Sequence, residues 1–162
     1  MVQIYCTQKL VKFIKTGIKA SLPRQEHDWS AHLFFISGRK CIIFVNKQTL
    51  YTVMLLDIFK KDMAHINRLF LEAFIGQLKI DHILGSHEAL IRDQYKEIIL
   101  LSTDNDRKTL GTINNIISMF QDMDLESARQ YASEGVNKMP WQALQYGYSK
   151  DMMLQELGQV YQ

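Results

Sequence analysis

Residues 31–56 constrain the fold more than any other part of the sequence. This segment contains three apolar runs, "AHLFFIS", "CIIFVN" and "TLYTVMLL", which are separated by turn residues at 38–40 and 47–48. Runs of this length with turns between them predict three antiparallel strands in a meander. The middle run is apolar at every position from Cys41 to Val45, so we expect this strand to be covered on both faces.

Helical periodicity dominates most of the remaining chain. Apolar residues recur every three or four positions over 10–18, 59–78 and 110–123, whereas "QIYC" and "EIILLST" are typical of strands. Helix caps are expected at Thr7, Ser86, Asp124 and Ser149, and a helix end at Gly135.

Strands and helices do not alternate strictly along the chain. The order therefore predicts an α+β fold with one domain over residues 1–162. Its expected architecture is a mainly antiparallel sheet of about four to five strands around the central meander, with helices packed mainly on one side.

Composition narrows the class of protein. The chain has 162 residues, of which 47% are hydrophobic and 22% charged, and this is typical of a globular domain. The first residues lack a charged start followed by a long apolar stretch, so we expect no signal peptide and no membrane contact. Cys6 and Cys41 lie in apolar surroundings without CxxC spacing, which predicts reduced, buried thiols in a cytoplasmic protein.

Positive charge is concentrated in the first part of the chain. Residues 1–48 contain eight Lys or Arg against two acidic residues, whereas residues 49–162 contain eleven against fifteen. This asymmetry predicts a basic face that contacts phosphates, although a solvated helix surface would show the same pattern. The predicted basic face comprises Lys12, Lys15, Lys19, Arg24, Arg39, Lys40 and Lys47, of which the first three have the spacing of one helical stripe.

A second candidate site is the strand–loop–helix "LLSTDNDRKTLGTINN", residues 100–115. A helix that begins directly after a strand can hold an anion with its backbone N–H groups, but the glycines of a Walker loop are missing. Asp104 and Asp106 disfavour a direct anion contact, so the first interpretation is a capped turn. The alternatives are an anion or nucleotide site at Thr103, Arg107 and Thr109, and a metal site at Asp57, Asp104 and Asp106.

No recognisable zinc motif or activated nucleophile is present in the sequence. We therefore assign no catalytic residue, no metal and no cofactor. Instead, four blocks in order resemble a family of small bacterial and mobile-element proteins described only as a domain of unknown function. The blocks are "QIYCTQKL", "WSAHLFFISGRKCIIFVNKQTLYTVML", "STDNDRKTLGTINN" and "VNKMPWQALQYGYSKDMMLQEL".

The resemblance covers nearly the whole chain and is weakest between residues 57 and 96. It implies that Asn46, Arg107 and Asn114 form either a structural polar network or the rim of one site. The candidate ligand or network residues are Trp29, Asn46, Thr103, Arg107, Thr109 and Asn114. Where the family usually has proline in the final block, this chain has Ser149.

Together these features predict a small, soluble, non-enzymatic binding protein encoded by a phage or mobile element. It would act through its basic face as an inhibitor or accessory factor of a host nucleic-acid-handling or defence complex. The expected partner is a protein or nucleoprotein complex. Nucleic acid itself is the alternative partner. The alternative from another class is a metal-dependent phosphodiesterase or nuclease, or a nucleotide-binding protein, that uses residues 103–114.

Overall fold

The central element of the structure, a computed structural model that describes residues 1–160, is a mixed β-sheet. Its six strands are β1 (Val2–Cys6), β2 (Ile18–Lys19), β3 (Trp29–Ile36), β4 (Arg39–Asn46), β5 (Thr52–Leu55) and β6 (Ile98–Ser102). Their order is β2-β6-β1-β3-β4-β5. The α+β class and the antiparallel β3–β4–β5 meander are confirmed.

The sheet differs from the prediction in strand number and direction. It is mixed rather than mainly antiparallel, because β1 runs parallel to both β3 and β6, and β2 runs parallel to β6. The pairing of β1 with β6 joins the two ends of a long sequence interval, and no local pattern encodes such a contact. Parallel neighbours also need crossover connections, which the intervening helices supply.

The described residues contain six α-helices. They are α1 (Gln8–Ile14), α2 (Ile66–Ile80), α3 (Glu88–Gln94), α4 (Arg107–Phe120), α5 (Leu125–Glu134) and α6 (Ser149–Val160). Short 3-10 helices span Lys60–His65, Val136–Lys138 and Gln142–Leu144, and β7 (Pro140–Trp141) pairs with β8 (Gly147–Tyr148). None of the helices in this part of the chain has the length and apolar content needed to cross a membrane.

Helices cover both faces of the sheet, so the prediction of packing mainly on one side is wrong. Ile42 and Phe44 of β4 belong to the core built with α1, α2, α3 and α6, whereas Ile43 and Val45 belong to the core built with α4 and α5. Every residue from Cys41 to Asn46 is buried, as expected for the middle strand.

The first helix is shorter than its periodicity predicts. Its last residue is Ile14, since Lys15 and Gly17 both adopt positive φ angles, of 69° and 78°. The chain then turns into β2, where Ile18 lies opposite Leu100 of β6. Asp124 caps α5 as predicted, because its carboxylate accepts a 2.7 Å hydrogen bond from the Ser127 N–H, and that helix ends at Gly135.

A buried polar network ties the C-terminal segment to edge strand β5. The Asn137 side chain accepts a hydrogen bond from the Thr52 N–H at 2.7 Å and donates one to the Thr52 carbonyl at 2.9 Å. Ser149 donates to Asn137 Oδ1 at 3.2 Å. Asp81 accepts hydrogen bonds from the Tyr51 hydroxyl and from Gln77 (3.2 Å), and burial together with Asp81 raises the pKa of Tyr51. A single amide thus satisfies both backbone groups of one edge residue.

Replacing Asn137 should therefore destabilise the protein strongly. Asn137→Ala leaves the buried Thr52 N–H and C=O without their partner, and we expect the free energy of unfolding to fall by about 2–4 kcal/mol. Denaturant titration measures this loss. The matched control is Asn114→Ala on the exposed side of α4, which should change stability by less than about 0.5 kcal/mol. Equal effects of the two substitutions would contradict the anchoring function of Asn137.

A second contact holds α6 against the loop before β3. His27 Nδ1 lies 2.7 Å from Oε1 of Glu156, and both side chains are mostly buried. The hydrogen bond to Glu156 raises the pKa of His27, although burial alone would lower it. A histidine whose pKa is higher in the folded state stabilises the fold fully below its unfolded pKa, and this contribution is lost as pH rises through the folded pKa.

The stabilising effect of His27 should depend on pH. We expect the difference in unfolding free energy between the wild type and His27→Gln to be largest below pH 6.5, the ordinary pKa of histidine, and to shrink above it. Denaturant titrations at several pH values measure this difference, and using the difference cancels the titration of the other histidines. Glu156→Gln should give the same pH dependence. A difference that stays constant across pH would argue against a charged His27–Glu156 pair.

Candidate nucleic-acid interface

The structure divides the predicted basic face into paired and unpaired cations. Arg24 lies 3.0 Å from Asp104, Arg39 lies 3.6 Å from Asp57, and Lys47 contacts two carboxylates. In the described part of the chain, no carboxylate lies within 4.0 Å of the remaining residues, which are Lys12, Lys15, Lys19 and Lys40. Lys12, Lys15 and Lys19 do not form one helical stripe, because α1 ends at Ile14 and Lys19 belongs to β2.

Lysines and phenylalanines alternate on the surface formed by α1, the β3–β4 hairpin and the first 3-10 helix. We call this the lysine–phenylalanine surface. It comprises Lys9, Phe13, Phe35, Lys40, Phe59, Lys60 and Lys61. The ammonium groups of Lys9 and Lys40 lie 4.8 and 6.0 Å from the ring centre of Phe35. Lys40 and Lys60 lie 5.7 and 5.3 Å from that of Phe13, and Lys61 lies 5.7 Å from that of Phe59.

Two of these rings are unusually exposed for phenylalanine, Phe35 at 44% and Phe59 at 52%. Sequence reasoning missed all three phenylalanines, because their spacing fits core positions of a strand or helix. The signal that was available is their local context, since Lys9, Lys40, Lys60 and Lys61 lie close to them in sequence. The aromatic residue singled out from the sequence, Trp29, is fully buried against Phe70 and Phe74 and donates its indole N–H to Tyr95.

An open groove of about 640 Å³ adjoins this surface. It lies between the end of α1 and the start of α2, with β6 at its base. The groove is lined in part by Thr16, Lys19, His65, Asn67, Arg68 and Glu97. Asn67 donates a hydrogen bond to the Ile98 carbonyl at 3.1 Å, while its buried Oδ1 accepts none from the described residues. The groove therefore adds the cations Lys19 and Arg68 to this side of the molecule.

The second candidate site is a neutralised cluster around Lys47. Its ammonium lies 2.5 Å from Asp104 and 3.3 Å from Asp106, and 4.4 Å from the ring centre of Tyr5. Thr109 donates a 2.8 Å hydrogen bond to Asp106. Burial opposes ionisation of Asp106, but the Thr109 hydroxyl and Lys47 together lower its pKa. Charges paired in this way hold the loop to the end of β4.

The carboxylates proposed for a metal do not converge. Asp57 lies at the end of β4 that begins with Arg39, whereas Asp104 and Asp106 contact Lys47 at the other end, about 25 Å away for an eight-residue strand. Among the described residues, no group of three or more His, Cys, Asp or Glu side chains is placed to hold a metal ion.

The predicted polar residues are also separate from one another. Asn46 Oδ1 accepts hydrogen bonds from the N–H groups of Gln48 (3.0 Å) and Thr49 (2.9 Å) and closes its own turn. Thr103 accepts a hydrogen bond within its own loop, from the Asn105 N–H. The remaining two residues, Arg107 and Asn114, lie on the exposed side of α4. These positions are thus local turn and surface residues in the structure.

Comparison with known families identifies a match over most of the chain. A model of the family described as "Domain of unknown function (DUF6933)" matches residues 3–152. No curated protein and no solved structure matches the chain. The match covers nearly all of the chain, including the lysine–phenylalanine surface and the Lys47 cluster.

Removing Lys47 should lower the free energy of unfolding, because two carboxylates lose a cationic partner. Lys47→Met leaves Asp104 and Asp106 partly buried without their main cation, so we expect a loss of about 1–3 kcal/mol in the free energy of unfolding and a higher pKa for Asp106. Denaturant titration and carboxyl-carbon NMR titration measure these two effects.

The control is Lys79→Met. Lys79 pairs with Glu88 at 3.5 Å, but its side chain is largely exposed, so its loss should cost less than about 0.5 kcal/mol. An unchanged Asp106 pKa in Lys47→Met would contradict the proposed pairing.

Proposed function

The chain belongs to the DUF6933 family, whose activity is unknown, and from its surface we propose that it is a non-enzymatic binding protein for a nucleoprotein or protein complex. The lysine–phenylalanine surface is the binding face. In concrete form, the protein is a cytoplasmic inhibitor or accessory factor of a host nucleic-acid-handling or defence complex, and it is encoded by a phage or mobile element.

The observation that carries this proposal is the lack of charge compensation on the lysine–phenylalanine surface. In the described residues, no carboxylate lies within 4.0 Å of Lys9, Lys40, Lys60 or Lys61, although the whole chain has nearly balanced charge. Uncompensated cations give a local positive potential that attracts a polyanionic partner. The exposed rings among them add apolar area of the kind found in interaction sites.

An enzymatic or nucleotide-binding function at residues 103–114 receives less support. The two carboxylates of that loop are already bound by Lys47 and Arg24, and Asp57 lies too far away to complete a metal site. A phosphate at this loop would have to compete with Asp104 and Asp106 for the same cations. The lysine–phenylalanine surface has no such internal competitor.

Charge reversal on this side of the molecule should abolish partner binding. We expect the double variant Lys9→Glu, Lys40→Glu, which reverses the two charges beside Phe35, to lose the complex that co-purifies with the tagged protein from its host. The matched control is Lys138→Glu, Lys150→Glu, which changes net charge equally. Lys138 follows Asn137, the anchor of β5 at the end of the sheet remote from Lys40, and this variant should retain the complex.

Affinity capture at increasing salt concentrations, followed by protein and nucleic-acid analysis, makes the comparison quantitative. Each lost phosphate contact lowers the slope of log binding constant against log salt by about one. If Lys9→Glu, Lys40→Glu retains the complex with unchanged salt sensitivity, the proposed function is wrong.

A further inference from the structure

We propose that the lysine–phenylalanine surface binds single-stranded nucleic acid, with unpaired bases stacked on Phe35 and Phe59 and phosphates held by the surrounding lysines. This inference rests on the proposed function and specifies what part of the partner is recognised. It follows from the exposure of the rings, the placement of the ammonium groups and the adjoining groove.

The exposed rings need a partner that covers flat apolar area. Phe35 belongs to the same strand face as the buried Leu33, yet it lies beyond the helical cover and is 44% exposed. Phe59 precedes the first 3-10 helix and is 52% exposed. A nucleobase offers a flat π-face of suitable size to such a ring, and this stacking does not depend on base identity.

The lysines supply the phosphate contacts that stacking alone lacks. Each exposed ring has at least one ammonium group over it, within 6.0 Å of its centre. A base that stacks on the ring displaces this flexible lysine head, which then contacts the phosphate next to the stacked base. The two acidic residues that flank Phe59 in the sequence are engaged elsewhere. Asp57 pairs with Arg39, and Asp62 accepts the Phe59 backbone N–H at 2.7 Å.

The groove extends the surface in one direction. Ile14 follows Phe13 in the chain and Met63 lies in the same 3-10 helix as Lys60, and both residues line the groove. Beyond them, Lys19 and Arg68 provide further cations. Glu97, directly before β6, is the one acidic residue among those that line the groove.

Unpaired strands fit this surface better than a duplex. In a duplex the base faces are stacked on one another and closed to the rings, so only the phosphates would contact the protein. Helix α1 has seven residues and lies flat along the surface, packed through Leu10 and Ile14, so it does not project into a groove of a duplex. The favoured ligand is therefore a single strand of DNA or RNA.

Fluorescence anisotropy with the full chain tests this inference. The probes are a labelled oligothymidylate and an oligouridylate of about 12 nucleotides, and a DNA duplex of the same length. Phe35→Leu and Phe59→Leu should each weaken single-strand binding by about 5- to 150-fold while leaving the salt dependence unchanged. The two single-strand probes distinguish DNA from RNA.

Matched variants control for loss of aromatic surface elsewhere. Tyr146 and Tyr148 are also exposed, at 68% and 44%, but lie in the β7–β8 region. Tyr146→Leu and Tyr148→Leu should bind the oligonucleotides like the wild type. Binding of the duplex should be weaker and insensitive to the phenylalanine substitutions. Thermal unfolding of each variant identifies a substitution that acts only by destabilising the fold, and Phe→Leu keeps the apolar character of the site.

The outcomes separate this inference from the proposed function. If Phe35→Leu and Phe59→Leu bind single strands as tightly as the wild type, or if the duplex binds equally well, base stacking is wrong. If no oligonucleotide binds while Lys9→Glu, Lys40→Glu still loses its complex, the partner surface is a protein. In that case this inference is wrong and the proposed function stands. If that double variant keeps its complex, the proposed function itself fails.

Discussion

Burial of β4 on both faces is the constraint on which the rest of the architecture depends. Its side chains alternate between two cores, with Ile42 and Phe44 in one and Ile43 and Val45 in the other. A strand of this kind is stable only when the chain supplies a helical layer for each face. The segment after β5 supplies α2 and α3 for the first face, and the segment after β6 supplies α4 and α5 for the second.

Covering both faces leaves the perimeter of the sheet for interactions with other molecules. Along β3, Leu33 is buried beneath the helices, while Phe35, two residues later on the same face, is largely exposed. Helix α1 ends at Ile14, because the backbone reverses at Lys15 and Gly17 and then enters β2. The lysine–phenylalanine surface is thus a consequence of where the helical layer stops.

Local sequence patterns predict the individual strands and helices well. They predict the way in which these elements assemble only in part. The meander, the buried middle strand and the Asp124 cap each depend on residues within one short segment, and the structure confirms them. The mixed sheet depends on the pairing of β1 with β6, which are far apart in sequence. The continuation of the first helix to Ile18 was wrong because apolar spacing does not report positive φ angles.

The distribution of charge along the sequence also predicts the structure only in part, and this matters for function. The sequence shows that the N-terminal part is basic, but only the fold shows which cations are already compensated. Lys47 is held by Asp104 and Asp106, and a phosphate could bind it only by competing with both carboxylates. Lys40 faces aromatic rings instead, and ring contacts compensate its charge only weakly. An anionic ligand therefore gains more at Lys40 than at Lys47, although both lysines belong to the same basic segment.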